Sequence, residues 1–205
     1  MVSKPNIRIE WSAQCRPDPQ HGWPPQAAGF LNTQSLTQAL RALPHHFSVQ
    51  PLHLGECTED IWLRPSENAY GAADFGETVF VRDVLLCLDG KAVVWARSMC
   101  AADSQRWREL LDCGTQPLGE RLFDGSLPLQ RSPFEFCNTV PENVSVPQQS
   151  AQAVLAKPTV LASQKRTSPV FRRPLAARRS WFDWSGETLG LVECFLPGLP
   201  DFLRR

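Results

Sequence analysis

Three charged side chains stand in runs where alternation calls for apolar ones. Thr78 to Leu88 and Lys91 to Met99 are two β-prone runs around Asp89-Gly90, a two-residue hairpin signal. Each run carries an arginine, Arg82 and Arg97, among valines, leucines and tryptophan. With a plain turn, Leu86 falls opposite Val93, Val84 opposite Trp95, and Arg82 opposite Arg97, all on one core face. Like charges directly opposite cost about 0.2–1 kcal/mol before desolvation is counted. A buried arginine also stays charged and needs a partner. An anion held between the two guanidinium groups resolves the conflict. The plain structural alternative is that both arginines run their stems along the core and keep their heads in water.

The third charge is Glu193. Ser180 to Trp184 and Glu187 to Leu196 flank Ser185-Gly186 and repeat the hairpin pattern. Alternation puts Leu189, Leu191, Glu193 and Phe195 on one face, with Gly190, Val192, Cys194 and Leu196 on the other. The turn sets Arg178 opposite Glu193. A cross-strand ion pair is the simple reading. The chemical reading is a carboxyl pulled one way by desolvation and the other by an arginine, able to donate a proton or anchor a hydroxyl. Both registers assume turns without a bulge.

The elements that position these charges read as follows. Leu36, Ala39, Leu40 and Leu43 follow a cap at Thr33 or Ser35 and precede Pro44, the pattern of a short one-sided helix. His46 to Leu54 reads as a strand whose Pro51 calls for an edge or a bulge, and 55–76 reads as a loop. A helix capped at Asp103 or Ser104 runs through Trp107, Leu110 and Leu111 to Gly114. Another starts at Pro117 and carries Leu118, Leu122 and Phe123. Residues 1–31 read as an extended arm over the surface. Residues 138–176, with prolines at 141, 147, 158, 169 and 174, read as a flexible insertion within one domain spanning 1–205. Hairpins with interspersed helices predict an α+β fold: an antiparallel sheet with helices gathered on one face.

Composition narrows the function. The 205 residues carry 21 basic and 21 acidic side chains, and a zero balance argues against a general nucleic-acid binder. The basic residues Lys165, Arg166, Arg172, Arg173, Arg178 and Arg179 read as a solvated loop, and His45-His46 as a solvated helix end. Seven scattered cysteines fit reduced thiols in the cytoplasm better than a disulfide framework, and no zinc-ligand spacing is present. No apolar run is long enough to span a membrane, and the N-terminus lacks the apolar stretch of a secretory signal. The expectation is a soluble, cytoplasmic protein.

Taken together, Val81-Arg82-Asp83-Val84-Leu85-Leu86-Cys87-Leu88-Asp89-Gly90, Ala96-Arg97-Ser98, Gln116-Pro117-Leu118-Gly119 before Leu122-Phe123, Arg178-Arg179-Ser180, and Leu191-Val192-Glu193-Cys194-Phe195-Leu196-Pro197 resemble the chorismate lyase family. Ser35-Leu36-Thr37 is similar to that family's early helix motif. The resemblance covers about residues 30–135 and 177–197, in order. It implies a chorismate pyruvate-lyase that makes 4-hydroxybenzoate and pyruvate for ubiquinone synthesis, with no metal or organic cofactor. The fold it implies has about six antiparallel strands and a ligand enclosed beneath helical flaps. Carried over by motif, Arg82 binds a carboxylate, Glu193 is the essential glutamate, and Leu36 and Leu118 contact the ligand from the flaps. Arg97 and Arg178 match recurrent arginines and are expected to support the substrate's charge. The expected partners are chorismate and 4-hydroxybenzoate, with no nucleic acid and no stable membrane insertion, and the expected state is a monomer.

Two departures from the family stand out. The family usually has a proline soon after Ala-Arg-Ser, where this chain has Met99-Cys100-Ala101, so a local change is expected there. The family also joins its halves by a short connection in place of 138–176. The competing reading is a non-catalytic sensing domain of the same fold, as used by bacterial transcription regulators. Retention of Arg82 and Glu193 favours the enzyme.

Overall fold

The computed structural model describes residues 9–58, 62, 75, 78–142, 144–147 and 171–204. In chain order its strands are β1 (Phe47–Cys57), β2 (Val79–Leu88), β3 (Lys91–Ala101), β4 (Gln130–Arg131), β5 (Glu135–Cys137), β6 (Val146–Pro147), β7 (Phe171–Arg172), β8 (Ala176–Trp184) and β9 (Glu187–Phe195). The helices are α1 (Ala27–Leu31), α2 (Leu36–Arg41), α3 (Gln105–Leu111), α4 (Leu118–Phe123) and α5 (Leu199–Leu203). The main sheet has seven strands, ordered β1-β2-β3-β9-β8-β4 with β5 also on β8, while β6 and β7 pair separately. All these pairings are antiparallel, which makes the fold α+β, as the sequence predicts.

Both hairpin turns put their two central residues at positive φ, Asp89 at 47° and Gly90 at 76°, then Ser185 at 54° and Gly186 at 89°. This is the primed geometry whose twist matches that of the strands. The second hairpin keeps the plain register, with Arg178 opposite Glu193. The first does not. Its register shifts after Cys87–Ala92, so Leu86 pairs with Val94, Leu85 with Trp95, Asp83 with Arg97, and Arg82 with Ser98. The expected Arg82–Arg97 opposition is therefore corrected. The reason is electrostatic as well as steric: one bulged residue replaces two facing cations with a cross-strand Arg–Asp pair. The same shift moves Trp95 to the other face, against Leu85 and Val192.

All five helices cover one face of the sheet. α1, α2 and α5 pack on Val84, Leu86, Val94 and Phe195. α3 and α4 pack on Phe80, Cys100, Leu189 and Leu191. The short α2 starts where Ser35 Oγ accepts from the Gln38 backbone N–H, and α3 starts after Ser104. β1 is an edge strand with its irregularity between Pro51 and His53, the place that a proline without an N–H favours. β3 continues through Met99–Cys100–Ala101, which accounts for the missing family proline: nothing there interrupts the ladder.

The opposite face carries Leu52, Val81, Leu85, Trp95, Met99, Val192 and Cys194, covered by Ile9, Trp62, Val140, Val144 and Val146. Two sequence expectations change here. The N-terminal arm is not only surface cover: Ser12 exchanges backbone hydrogen bonds with Phe136, and buried Trp23 meets Phe195 edge-on. The ends of the expected 138–176 insertion belong to the packed structure, since Val140, Val144 and Val146 are core and β8 starts at Ala176. Its central part, 148–170 with Lys165 and Arg166, lies outside the described residues, as does most of the expected 55–76 loop. Arg178 and Arg179 are buried, not solvated. His45 accepts a place beside the first hairpin turn, with Nδ1 2.7 Å from Asp89 Oδ2 and its ring against Phe202.

Candidate active site

The two helix-side clusters leave a gap between them over the middle of the sheet. Val84 and Leu86 on β2, Ala96 and Ser98 on β3, and Leu191 and Glu193 on β9 form its floor, with Arg82 at one side. The first turns of α2 and α4 form its roof through Leu36, Thr37, Leu118 and Gly119. The gap is partly open to solvent, with about 500 Å³ of space between the atoms that line it, open solvent included. Gly119 lets the two roof helices approach: a Cβ there would sit 2.9 Å from Thr37 Oγ1. An Arg41–Glu120 ion pair ties α2 to α4 at the surface.

Arg82 is buried on β2. Its Nη2 donates to the carbonyl oxygens of Gly114 at 2.8 Å and Gln116 at 3.1 Å. Gly114, at φ +56°, turns the chain after α3 so that this loop wraps the guanidinium. Burial pushes the Arg82 pKa down, yet no carboxylate pairs with it among the described residues.

Glu193 is 8% exposed and, among the described residues, engages one oxygen: Oε2 accepts from Arg178 Nε at 2.5 Å. Arg178 stands behind it, fully buried, with Nη1 donating to Leu31 O at 2.8 Å and Thr33 O at 2.6 Å, and the Phe134 ring 4.3 Å away. Arg178 thus holds Glu193 and ties β8 to the end of α1; it does not line the pocket. Ladder geometry places Arg82 and Glu193 two strands and two residues apart, about 12 Å between Cα atoms. They stand at opposite ends of an apolar floor.

Arg97 is not at this site. It lies on the opposite face, where Nε and Nη2 donate to the two Asp83 oxygens at 2.7 Å each and the guanidinium stacks near Trp95. The expectation that it supports a bound anion is corrected by the bulge, which turns it away. Leu36 and Leu118 line the roof of the pocket.

Sequence reasoning missed Arg131. This residue of β4 lines the pocket, with Nε on Ser180 Oγ at 3.0 Å and Nη1 on Gln34 O at 2.7 Å. The rings of Phe123, Phe134 and Phe182 lie 4.0–5.1 Å from its guanidinium. Desolvation lowers its pKa to about 10, against an opposing pull from Glu193, so it stays charged at neutral pH. A two-residue strand gives no alternation to read, and Arg131 stands between Gln130 and Ser132, where an arginine draws no notice.

Among the described residues, no cluster of three or more His, Cys, Asp or Glu is placed to hold a metal, and no helix is long and apolar enough to cross a membrane. The seven cysteines are free thiols.

An antiparallel sheet with its helices on one face, and an apolar pocket between them fitted with two guanidinium groups and one carboxylate, defines an α+β protein whose pocket sets fixed charges on an apolar wall. The chorismate lyase family profile matches residues 11–201. A probable chorismate pyruvate-lyase of Thiobacillus denitrificans is 33% identical over 88% of this chain and 91% of its own length. Another from Burkholderia pseudomallei is 31% identical over 80% of this chain and 78% of its own. The chain belongs to the chorismate lyase family. Among solved structures, PhnF from Mycobacterium smegmatis aligns at a TM-score of 0.40 and 16% identity, over 81% of this chain and 65% of that one.

Proposed function

We propose that this protein is a chorismate pyruvate-lyase, converting chorismate to 4-hydroxybenzoate and pyruvate. The observation that carries this reading is the pairing of Arg82 and Glu193 at opposite ends of one apolar pocket, in a chain of this family. Chorismate has a ring carboxylate and, across the ring from it, a hydroxyl. In this reading Arg82 takes the ring carboxylate through the N–H groups not engaged by Gly114 and Gln116. The half-free carboxylate of Glu193 takes the 4-hydroxyl. Leu36 and Leu118 close over the ring and keep water out.

The reaction breaks the bond between ring C3 and the ether oxygen, whose electron pair leaves with the enolpyruvyl group. The proton on C4 departs, its electron pair completes the aromatic ring, and the methylene carbon of the enolpyruvyl group gains a proton to become the methyl of pyruvate. Aromatisation drives the step, so the protein has mainly to hold a reactive conformer away from water. Glu193 orients the C4 centre through its hydroxyl and assists the proton's passage. Arg178 acts as a positioning residue, fixing Glu193 Oε2 so that Oε1 faces the ligand. We further assign the product to ubiquinone synthesis and the protein to the cytoplasm, as a monomeric single domain.

The test is direct. Purified protein incubated with chorismate should release 4-hydroxybenzoate and pyruvate in equal amounts, followed by chromatography and a coupled pyruvate assay. Release should be lost in Arg82→Ala and Glu193→Gln. Chorismate left intact by folded protein would overturn the reading, and tight binding of 4-hydroxybenzoate in that case would point to a sensor.

A further inference from the structure

We propose that Arg131 binds the enolpyruvyl carboxylate of the substrate, making it the second anion-binding residue of the site. The inference deepens the lyase reading and rests on it. Its starting point is charge. The helix side of the sheet sets buried Arg82 and Arg178 and half-buried Arg131 against one buried carboxylate, Glu193. Glu193 is spoken for by Arg178 at 2.5 Å. Two guanidinium charges remain without a carboxylate partner among the described residues, and the proposed substrate is a dianion.

Geometry then decides which arginine takes which carboxylate. In chorismate the enolpyruvyl ether is on C3, next to the C4 hydroxyl and away from the C1 carboxylate. The second carboxylate must therefore lie at the same end of the pocket as the hydroxyl's partner. Arg131 is at that end: it interacts electrostatically with Glu193 and Arg178 and bonds Ser180, which faces Leu191 on β9, two residues from Glu193 on the same face. Arg82 is wrapped by the 114–116 loop at the other end.

Arg131 is also held ready. Ser180 Oγ and Gln34 O fix two of its nitrogens, and three phenylalanine rings fix the plane of the guanidinium. That arrangement costs solvation that no carboxylate among the described residues restores by direct contact, the state in which a bound anion is worth most. Released pyruvate keeps the same carboxylate, so Arg131 would hold the leaving group as its charge redistributes.

The experiment compares a ligand that has the second carboxylate with one that lacks it. In Arg131→Met and Arg131→Lys, the KM for chorismate should rise about 10- to 100-fold, the loss expected of one charge-assisted contact. The Kd for 4-hydroxybenzoate, read by calorimetry, should change less than about threefold, within the effect of one weak neutral contact. Arg82→Met should weaken both ligands. Circular dichroism checks folding, and if Arg131→Met is not native the lysine variant carries the test, since an ammonium lacks the planar fork. Equal weakening of both ligands, or of neither, overturns the assignment of Arg131 while leaving an active native enzyme a lyase. A native protein inert toward chorismate overturns both.

Discussion

Each face of the sheet buries arginines, and the two faces treat them differently. On the face away from the helices, Arg97 makes a two-pronged pair with Asp83, and Arg179 Nε meets Glu135 Oε2 at 2.7 Å between the rings of Trp11 and Trp181. Both of these cations have a carboxylate. On the helix face, Arg178 and Glu193 form one such pair, while Arg82 and Arg131 rest on carbonyl and hydroxyl oxygens alone. Matched charge inside a protein serves architecture; unmatched charge is tolerated where a ligand completes it.

That contrast can be broken by experiment. The largest effect is expected at Glu193. Glu193→Gln should lower turnover at least about 100-fold, the scale of a lost general acid–base group. Its stability loss should stay near 1–3 kcal/mol, because Arg178 keeps the Leu31 and Thr33 carbonyls. Steady-state kinetics beside a thermal melt separates the two. Unchanged turnover would remove Glu193 from the mechanism.

Asp83→Asn probes the other face. It strips the carboxylate from the half-buried Arg97 and should cost about 1–3 kcal/mol, with kcat of the folded protein unaltered. A loss of kcat without a loss of stability would erase the distinction between the faces. Next comes Arg82→Met, which should weaken 4-hydroxybenzoate binding about 100-fold yet leave the melting temperature within a few degrees, about 1 kcal/mol for a chain of this size. A collapse in stability would show Arg82 to be structural.

The smallest effect is expected at the roof. Gly119→Ala adds a Cβ 2.9 Å from Thr37 Oγ1, so the helices must part slightly, weakening ligand binding by about 1 kcal/mol, or about fivefold. Stopped-flow measurement of product release should show the gain in off-rate; an unchanged rate would mean that Thr37 simply rotates aside.

Much of this was legible in the residues. The Asp-Gly and Ser-Gly turns, the cap at Ser35 and the Pro51 irregularity all rest on local chemistry, which a sequence states directly. So does the Arg178–Glu193 pair, because its hairpin has no bulge. Arg97 was misplaced because a bulge depends on what both faces must pack, here Trp95 and Asp83 together, and no local signal encodes that. Arg131 was missed because β4 is two residues long, and α1 and α5, five residues each, exist through burial against the sheet more than through any pattern of their own.

The bulge at Val93 also bears on how the hairpin tolerates changes in length. Val93 and Val94 both pack on the helix side, and the Val93 carbonyl accepts from the Leu196 N–H at 2.9 Å. A chain lacking that one residue would close a regular hairpin with Ala92 still opposite Cys87 and Val94 still opposite Leu86. Every pairing beyond, from Trp95 to Ala101, would stay in frame. The bulge is a slack link: it lets insertion or deletion next to the turn leave the parity of β3 untouched, and with it the side of the sheet on which each charge emerges.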